Sequence, residues 1–154
     1  MPILFAPHQP RAVLSVIFVC VVAALLVAGC GGIAYERLDK AAVDAAVVSA
    51  TESMLLASKN RDMNALAATR RQPNGAPIDL KQAGCTLKQN HAFFDYDTWE
   101  VLGGGVDASG KHYKIDARLN FTDGQHNNIF VFLHEFDDGW KVVNFLPDFH
   151  YWCP

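Results

Sequence analysis

The distribution of apolar and polar residues divides this chain of 154 residues into three parts. An apolar run from Ala12 to Ala28 contains no charged residue. From Tyr35 to Ser58 the sequence lacks Pro and Gly, and its apolar positions recur three and four residues apart, which predicts a helix of about six turns. From Phe93 onward apolar and polar positions alternate, which predicts a meander of strands.

Shorter elements complete the predicted domain. After a break at Asn60 and Asp62, Met63 to Arg71 is predicted as a second, short helix, and a weaker signal favours one helical turn from Ile78 to Gln82. Four strands follow, predicted at 98–106, 113–121, 129–136 and 140–146. The glycine triplet at 103–105 indicates a bulge or a close backbone approach.

These elements predict an α+β fold in which a curved, four-stranded antiparallel sheet wraps the long helix. In the strand Ile129 to Phe136 both alternating sets are apolar, so we expect it to be covered on both faces. The long helix can cover only one of them. The other face is therefore predicted as an association surface or the wall of a ligand cavity, with Phe130, Phe132, His134 and Trp140 as candidate binding residues.

The end of the first apolar run, Val27-Ala28-Gly29-Cys30, resembles the lipobox of bacterial lipoproteins. The resemblance implies that the Cys30 thiol receives a diacylglycerol and that the chain is cut before it. Residues 1–29 would then be a signal peptide, residues 30–34 a tether and residues 35–154 the folded domain. The alternative is an uncleaved, single-pass anchor, because Ala12 to Ala34 is long enough to span a hydrocarbon core.

Either interpretation makes the domain face the periplasm. The lipid anchor would lie in the cell membrane or outer membrane, and the single-pass anchor in the inner membrane. In the lipoproteins that the chain resembles, Gly31 at the position after the cysteine is compatible with transport to the outer membrane. The net charge is −3, and removal of Arg11 with the signal leaves 12 Lys and Arg against 16 Asp and Glu. This mildly acidic domain has no charge pattern that attracts nucleic acid.

Cysteine usage agrees with export. Cys20 lies in the apolar run and Cys30 is the proposed lipid site, which leaves Cys85 and Cys153. Two thiols in an oxidising compartment favour one disulfide, and closing this loop would stabilise the domain by about 4 kcal/mol. The alternative is two buried free thiols.

Two segments resemble the NTF2-like, or cystatin-like, superfamily: residues 57–66 at the helix junction and Asp138 to Phe145, which opens with Asp-Gly-Trp-Lys. In enzymes of that superfamily such as ketosteroid isomerases, a helix–sheet pocket holds an Asp base and a Tyr or protonated Asp. Here the alternation places Asp116 on the polar side of its strand, and no Asp and Tyr pair falls in the expected pocket. A small isomerase-like enzyme is therefore the alternative function, with no catalytic residue assigned.

A metal site would need His126, His134, Asp148 and His150, whose spacing differs from usual zinc sites, so no metal or cofactor is predicted. We expect a non-enzymatic ligand-binding or assembly module, tethered to a membrane through a lipid or an N-terminal helix. Its predicted partner is another envelope protein, a second copy of the chain or a small apolar ligand.

Overall fold

The computed structural model describes residues 33–146. The proposed signal peptide, the lipid site Cys30 and the C-terminal residues Asp148, His150 and Cys153 lie outside this range, so the predictions made for them stay predictions. Within the described range, no helix has both the length and the apolar character needed to cross a membrane.

The described chain forms three α-helices and one five-stranded antiparallel sheet, which confirms the α+β class. The strands are neighbours in chain order. The elements are β1 (Tyr35–Asp39), a 3-10 turn (Lys40–Ala42), α1 (Ala45–Lys59), α2 (Met63–Thr69), α3 (Leu80–Gln89), β2 (Thr98–Asp107), β3 (His112–Asn120), β4 (His126–Phe136) and β5 (Gly139–Leu146).

The prediction of one helix from Tyr35 to Ser58 is wrong. The sheet consequently has five strands, one more than the four predicted. Residues 35–39 form β1, which pairs antiparallel with the glycine triplet of β2. A Cβ atom on Gly105 would lie 2.9 Å from the carbonyl oxygen of Glu36, so glycine permits the close approach that the sequence indicates. Pairing with a distant strand overrides the local helical preference of this segment.

The long helix α1 begins only at Ala45. The carboxylate of Asp44 accepts a hydrogen bond of 2.7 Å from the backbone N–H of Ala46, which satisfies one of the free donors at the helix start. Val47, Met54 and Leu55 are almost fully buried against the sheet. The predicted apolar stripe of this helix is therefore a core-facing stripe.

The third helix is longer than the helical turn predicted at Ile78 to Gln82. A capping box starts it: the Asp79 side chain accepts from the Gln82 N–H at 2.7 Å, and the Gln82 side chain accepts from the Asp79 N–H at 3.1 Å. Cys85 lies in this helix and is disulfide-bonded. Because no other cysteine falls among residues 33–146, its predicted pairing with Cys153 stays a prediction.

The four predicted strands exist, with bounds shifted by up to three residues. The largest shift is at the start of β4, which begins at His126 instead of Ile129. The register between β2 and β3 shifts between Val101 and Gly103, so the predicted bulge is confirmed. On β3 the alternation is as predicted, because Ile115, Ala117 and Leu119 are fully buried. These side chains face the helices and form the core between sheet and helices.

Candidate functional site

The sheet face turned away from the helices, here called the outer face, carries three of the predicted binding residues. On β4 the core side chains Ile129, Val131 and Leu133 are at most 1% exposed, whereas Phe130 is 38% exposed and Phe132 and His134 are half-buried. The described helices pack against the core side chains. Within residues 33–146, the prediction that this strand is covered on both faces is therefore wrong, because no described helix lies over Phe130.

Aromatic and cationic groups meet on the outer face. The ammonium of Lys114 lies 3.8 Å from the ring centroid of Phe130, a cation–π contact. The rings of Tyr35 and Phe132 meet edge to face with centroids 6.4 Å apart. The outer face is thus amphipathic, with phenylalanine rings bordered by charged side chains from β3.

Trp140, the fourth predicted binding residue, lies on the opposite face. It pairs with Glu135 on β4, which points to the same side as Leu133, and its ring meets Tyr113 edge to face at 5.2 Å. It packs at the margin of the core. The register is set by the turn at Asp137 and Asp138, and the sequence pattern alone does not fix which side the first residue of a new strand faces.

A histidine pair that the sequence analysis missed lies at one end of the outer face. His112 and His134 are directly opposite on β3 and β4, with ring centroids 4.2 Å apart. The His112 ring donates from Nδ1 to the Asp107 carboxylate at 2.8 Å, and the hydroxyl of Ser109 donates to the same carboxylate. The pKa of Asp107 lies far below its usual range, and the hydrogen bond from His112 is the main cause.

The environment of His134 disfavours its protonated form. Burial lowers its pKa most, the neighbouring His112 lowers it further, and Asp107 acts in the opposite direction. The proximity of Asp107 and His112 could be predicted from the sequence, because these residues flank the turn between β2 and β3. Only the strand pairing, however, brings His134 next to them.

The candidate metal-ligating residues in the described range do not come together. His126 and His134 are eight residues apart on the same strand, about 26 Å along it. Asp148 and His150 lie outside the described range. Within that range no group of three or more His, Cys, Asp or Glu side chains is arranged to hold a metal ion.

The interior between helices and sheet is lined by apolar groups. Among the described residues, the buried polar side chains are Thr51, Ser58 and Asn90, so no carboxylate is buried there. The hydroxyl of Tyr96 donates to the Leu55 carbonyl at 2.6 Å, and burial raises its pKa. The Asp and Tyr pair of the isomerase-like alternative therefore has no counterpart in the described interior.

Arg70 is a charged residue at the edge of this interior that the sequence analysis also missed. Its guanidinium lies 5.3 Å from the ring centroid of Phe145, and burial lowers its pKa to about 10. Its Nε is buried and has no hydrogen-bond partner among the described residues. The favourable contact with the aromatic ring offsets part of the cost of burying this cation.

A small hollow lies on the outer face where β1, β2 and β3 adjoin. Its volume is about 180 Å³, and its lining consists of Tyr35, Arg37, Gly104, Gly105, Lys114 and Asp116. Larger, open grooves run beside the start of α1, at Lys40, Val43 and Glu52 (about 550 Å³), and beside Leu56 and Trp99 (about 360 Å³). The hollow differs from both grooves because three charged side chains converge on it.

Comparison with known proteins gives a likeness to solved structures. No protein-family model and no curated protein matches the chain. Among solved structures, the chain is similar to a ketosteroid isomerase-like protein from Erwinia carotovora atroseptica. The likeness has a TM-score of 0.43 and 15% sequence identity, and it covers 66% of this chain and 91% of that one.

Proposed function

We propose that this protein is a non-enzymatic binding module of the bacterial cell envelope, tethered to a membrane by a lipid on Cys30. Its NTF2-like domain would present the outer face to another envelope protein. The observation that carries the proposal is the exposure of Phe130 beside Phe132 on a sheet face that no described helix covers. Contiguous apolar groups rimmed by charges are typical of association surfaces.

The composition of the outer face supports a protein partner. Aromatic side chains contribute large contact area, and they are the groups on which binding energy concentrates in protein interfaces. Lys114 and Asp116 border Phe130 and Phe132 in the strand register, which gives the polar rim that such interfaces have. The proposed location in the cell envelope is supported by Val27-Ala28-Gly29-Cys30, which resembles a lipobox.

The outer face is tested with a Phe130→Asp, Phe132→Asp double variant, expressed in the native host and crosslinked in intact cells. We expect the variant to fold and to lose the crosslinked partner that the parent protein captures. Leu80→Asp is the matched control, because Leu80 is 51% exposed on α3, away from the sheet. If the double variant keeps its circular dichroism spectrum and still captures the same partner, the outer face is not the binding surface.

The tether is tested separately by the intact mass of the protein purified from membranes. Lipidation predicts a mature chain that begins at an acylated Cys30, and Cys30→Ala should leave the precursor uncut. A chain that retains residues 1–29 without acylation would show the single-pass anchor instead.

A further inference from the structure

The lining of the hollow on the outer face includes a glycine between two cations. In the strand register Gly105 stands opposite Arg37 on one side and Lys114 on the other. Because adjacent strands are about 4.8 Å apart, the backbones of the two basic residues are about 10 Å apart. A Cβ atom on Gly105 would lie 2.9 Å from the carbonyl oxygen of Glu36. The room for an anionic group is therefore the hollow of about 180 Å³ that Arg37 and Lys114 line.

A second row beside the first has the opposite charge. Gly103 stands opposite Asp39 on β1 and Asp116 on β3. Asp116 also lines the hollow. The two rows are two residues apart, about 7 Å along the strands. A pair of cations and a pair of carboxylates therefore lie side by side, each pair separated by a glycine.

The charges of these rows are not used by the described part of the chain. Among residues 33–146 the side chains of Arg37, Asp39 and Asp116 make no ion pair or hydrogen bond with one another or with any other side chain. Lys114 contacts the ring of Phe130 and has no carboxylate partner in this range. Their hydrogen-bonding capacity is thus available to a ligand.

The arrangement selects for a ligand that carries both charges. A simple anion between Arg37 and Lys114 would be repelled by Asp116, and a simple cation beside Asp116 would be repelled by the two basic residues. A guanidinium binds phosphate oxygens in bidentate fashion, and an ammonium donates to carboxylates. A phosphate and an ammonium joined by a two-carbon chain satisfies both rows.

We propose that the hollow binds an amino-phosphate of the phosphoethanolamine type, with its phosphate at Arg37 and Lys114 and its ammonium at Asp116. The inference rests on the proposed tether for the source of the ligand. Cys30 precedes Tyr35, a lining residue, by five positions, which span at most about 18 Å. A lipid headgroup of the bilayer that holds Cys30 is therefore within reach of the site, and a soluble amino-phosphate shares the same chemistry.

The site is tested first without a bilayer, by calorimetric titration of the full-length protein in detergent micelles. Glycerophosphoethanolamine should bind at least about tenfold more tightly than glycerol phosphate or glycerophosphocholine, a difference of about 1.4 kcal/mol. Arg37→Gln should weaken binding of glycerophosphoethanolamine about tenfold or more, and Asp116→Asn should abolish the preference for it over glycerol phosphate. Arg118→Gln is the matched control, since Arg118 lies on β3 outside the hollow.

A second measurement distinguishes the two sources of the ligand. The full-length protein is reconstituted into vesicles of phosphatidylcholine with or without phosphatidylethanolamine, and amide exchange of β1 is followed. Slower exchange with phosphatidylethanolamine, lost in Arg37→Gln, supports the headgroup. Unchanged exchange, together with binding in micelles, supports a soluble amino-phosphate.

The proposal is overturned if none of the three phosphates binds in micelles, or if Arg37→Gln and Asp116→Asn bind like the parent. Neither result depends on lipidation, because the micelle titration contains no bilayer. A failure of the tether appears instead in the intact mass, so the two proposals fail by different measurements.

Discussion

Individual buried polar groups tie the sheet to the helices. Tyr96 precedes β2, and its hydroxyl donates to the carbonyl of Leu55 in the middle of α1. The ring is 2% exposed and contacts Trp99 edge to face. One hydrogen bond therefore joins the connection before the sheet to the long helix inside the core.

Replacement of Tyr96 by Phe should lower the free energy of unfolding by about 1–1.5 kcal/mol, because the hydrogen bond is lost while the ring remains. Urea denaturation measures the change, and the slope of the transition should not alter. Tyr35→Phe is the matched control, since no described residue is hydrogen-bonded to that hydroxyl. An equal loss in both variants would contradict the assigned role of Tyr96.

His134 should titrate below the ordinary histidine pKa, and its two neighbours should shift it in opposite directions. His112→Gln removes the neighbour that lowers the pKa of His134 and should therefore raise that pKa, whereas Asp107→Asn should lower it further. Proton NMR of the imidazole ring over a pH series measures these shifts. A shift in the same direction in both variants would contradict the arrangement.

The same shift has a consequence for stability. Since the unfolded chain protonates His134 near pH 6.5 and the folded chain only at lower pH, the free energy of unfolding should fall as the pH drops below about 6.5. His134→Gln should remove this part of the pH dependence, as measured by urea denaturation at several pH values.

At the residue scale, the burial of a side chain could be predicted from the sequence where periodicity decides it, but not where strand register decides it. The burial of Ile115, Ala117 and Leu119 follows from alternation alone. The side occupied by Trp140 depends on the turn before it, and the contact between His112 and His134 depends on strand pairing. Neither turn geometry nor pairing is contained in a local pattern of apolar residues.

At the scale of elements, β1 shows how a distant partner decides a structure. Its residues, Tyr-Glu-Arg-Leu-Asp, are compatible with a helix, and the strand that they join is far away in the chain. The glycines of β2 were recognisable as a site of close approach, but the approaching segment was not. The capping box of α3, Asp79 with Gln82, can be recognised in the sequence. The apolar pattern that follows it is weak, so only one helical turn is predicted there.

Gly105→Ala should loosen β1, because a Cβ atom there would lie 2.9 Å from both the carbonyl oxygen of Glu36 and the Cβ of Tyr35. We expect a loss of about 1–3 kcal/mol in the free energy of unfolding and faster amide exchange across 35–39. Glu100→Ala, an exposed position on the same strand, is the control and should leave both quantities nearly unchanged. Equal stability of the two variants would show that β1 tolerates a wider spacing.

At the scale of the whole molecule, Cys85 on α3 is disulfide-bonded. We predict Cys153 as the partner, which a non-reduced peptide map would show directly. Cys85→Ser should then destabilise the protein by about 2–4 kcal/mol. Cys153→Ser should cause the same loss and the double variant no further loss; additive losses would show that the two thiols do not pair.

The strand order also constrains how the domain folds. Strands β2 to β5 are neighbours in chain order, so each can pair with its predecessor over a short stretch of chain. The first strand, β1, can pair only after β2 has been synthesised, because β2 is its partner. Three helices separate β1 from β2 in the chain. Because such non-local pairing is slow, we expect β1 to be the last strand to acquire its native contacts.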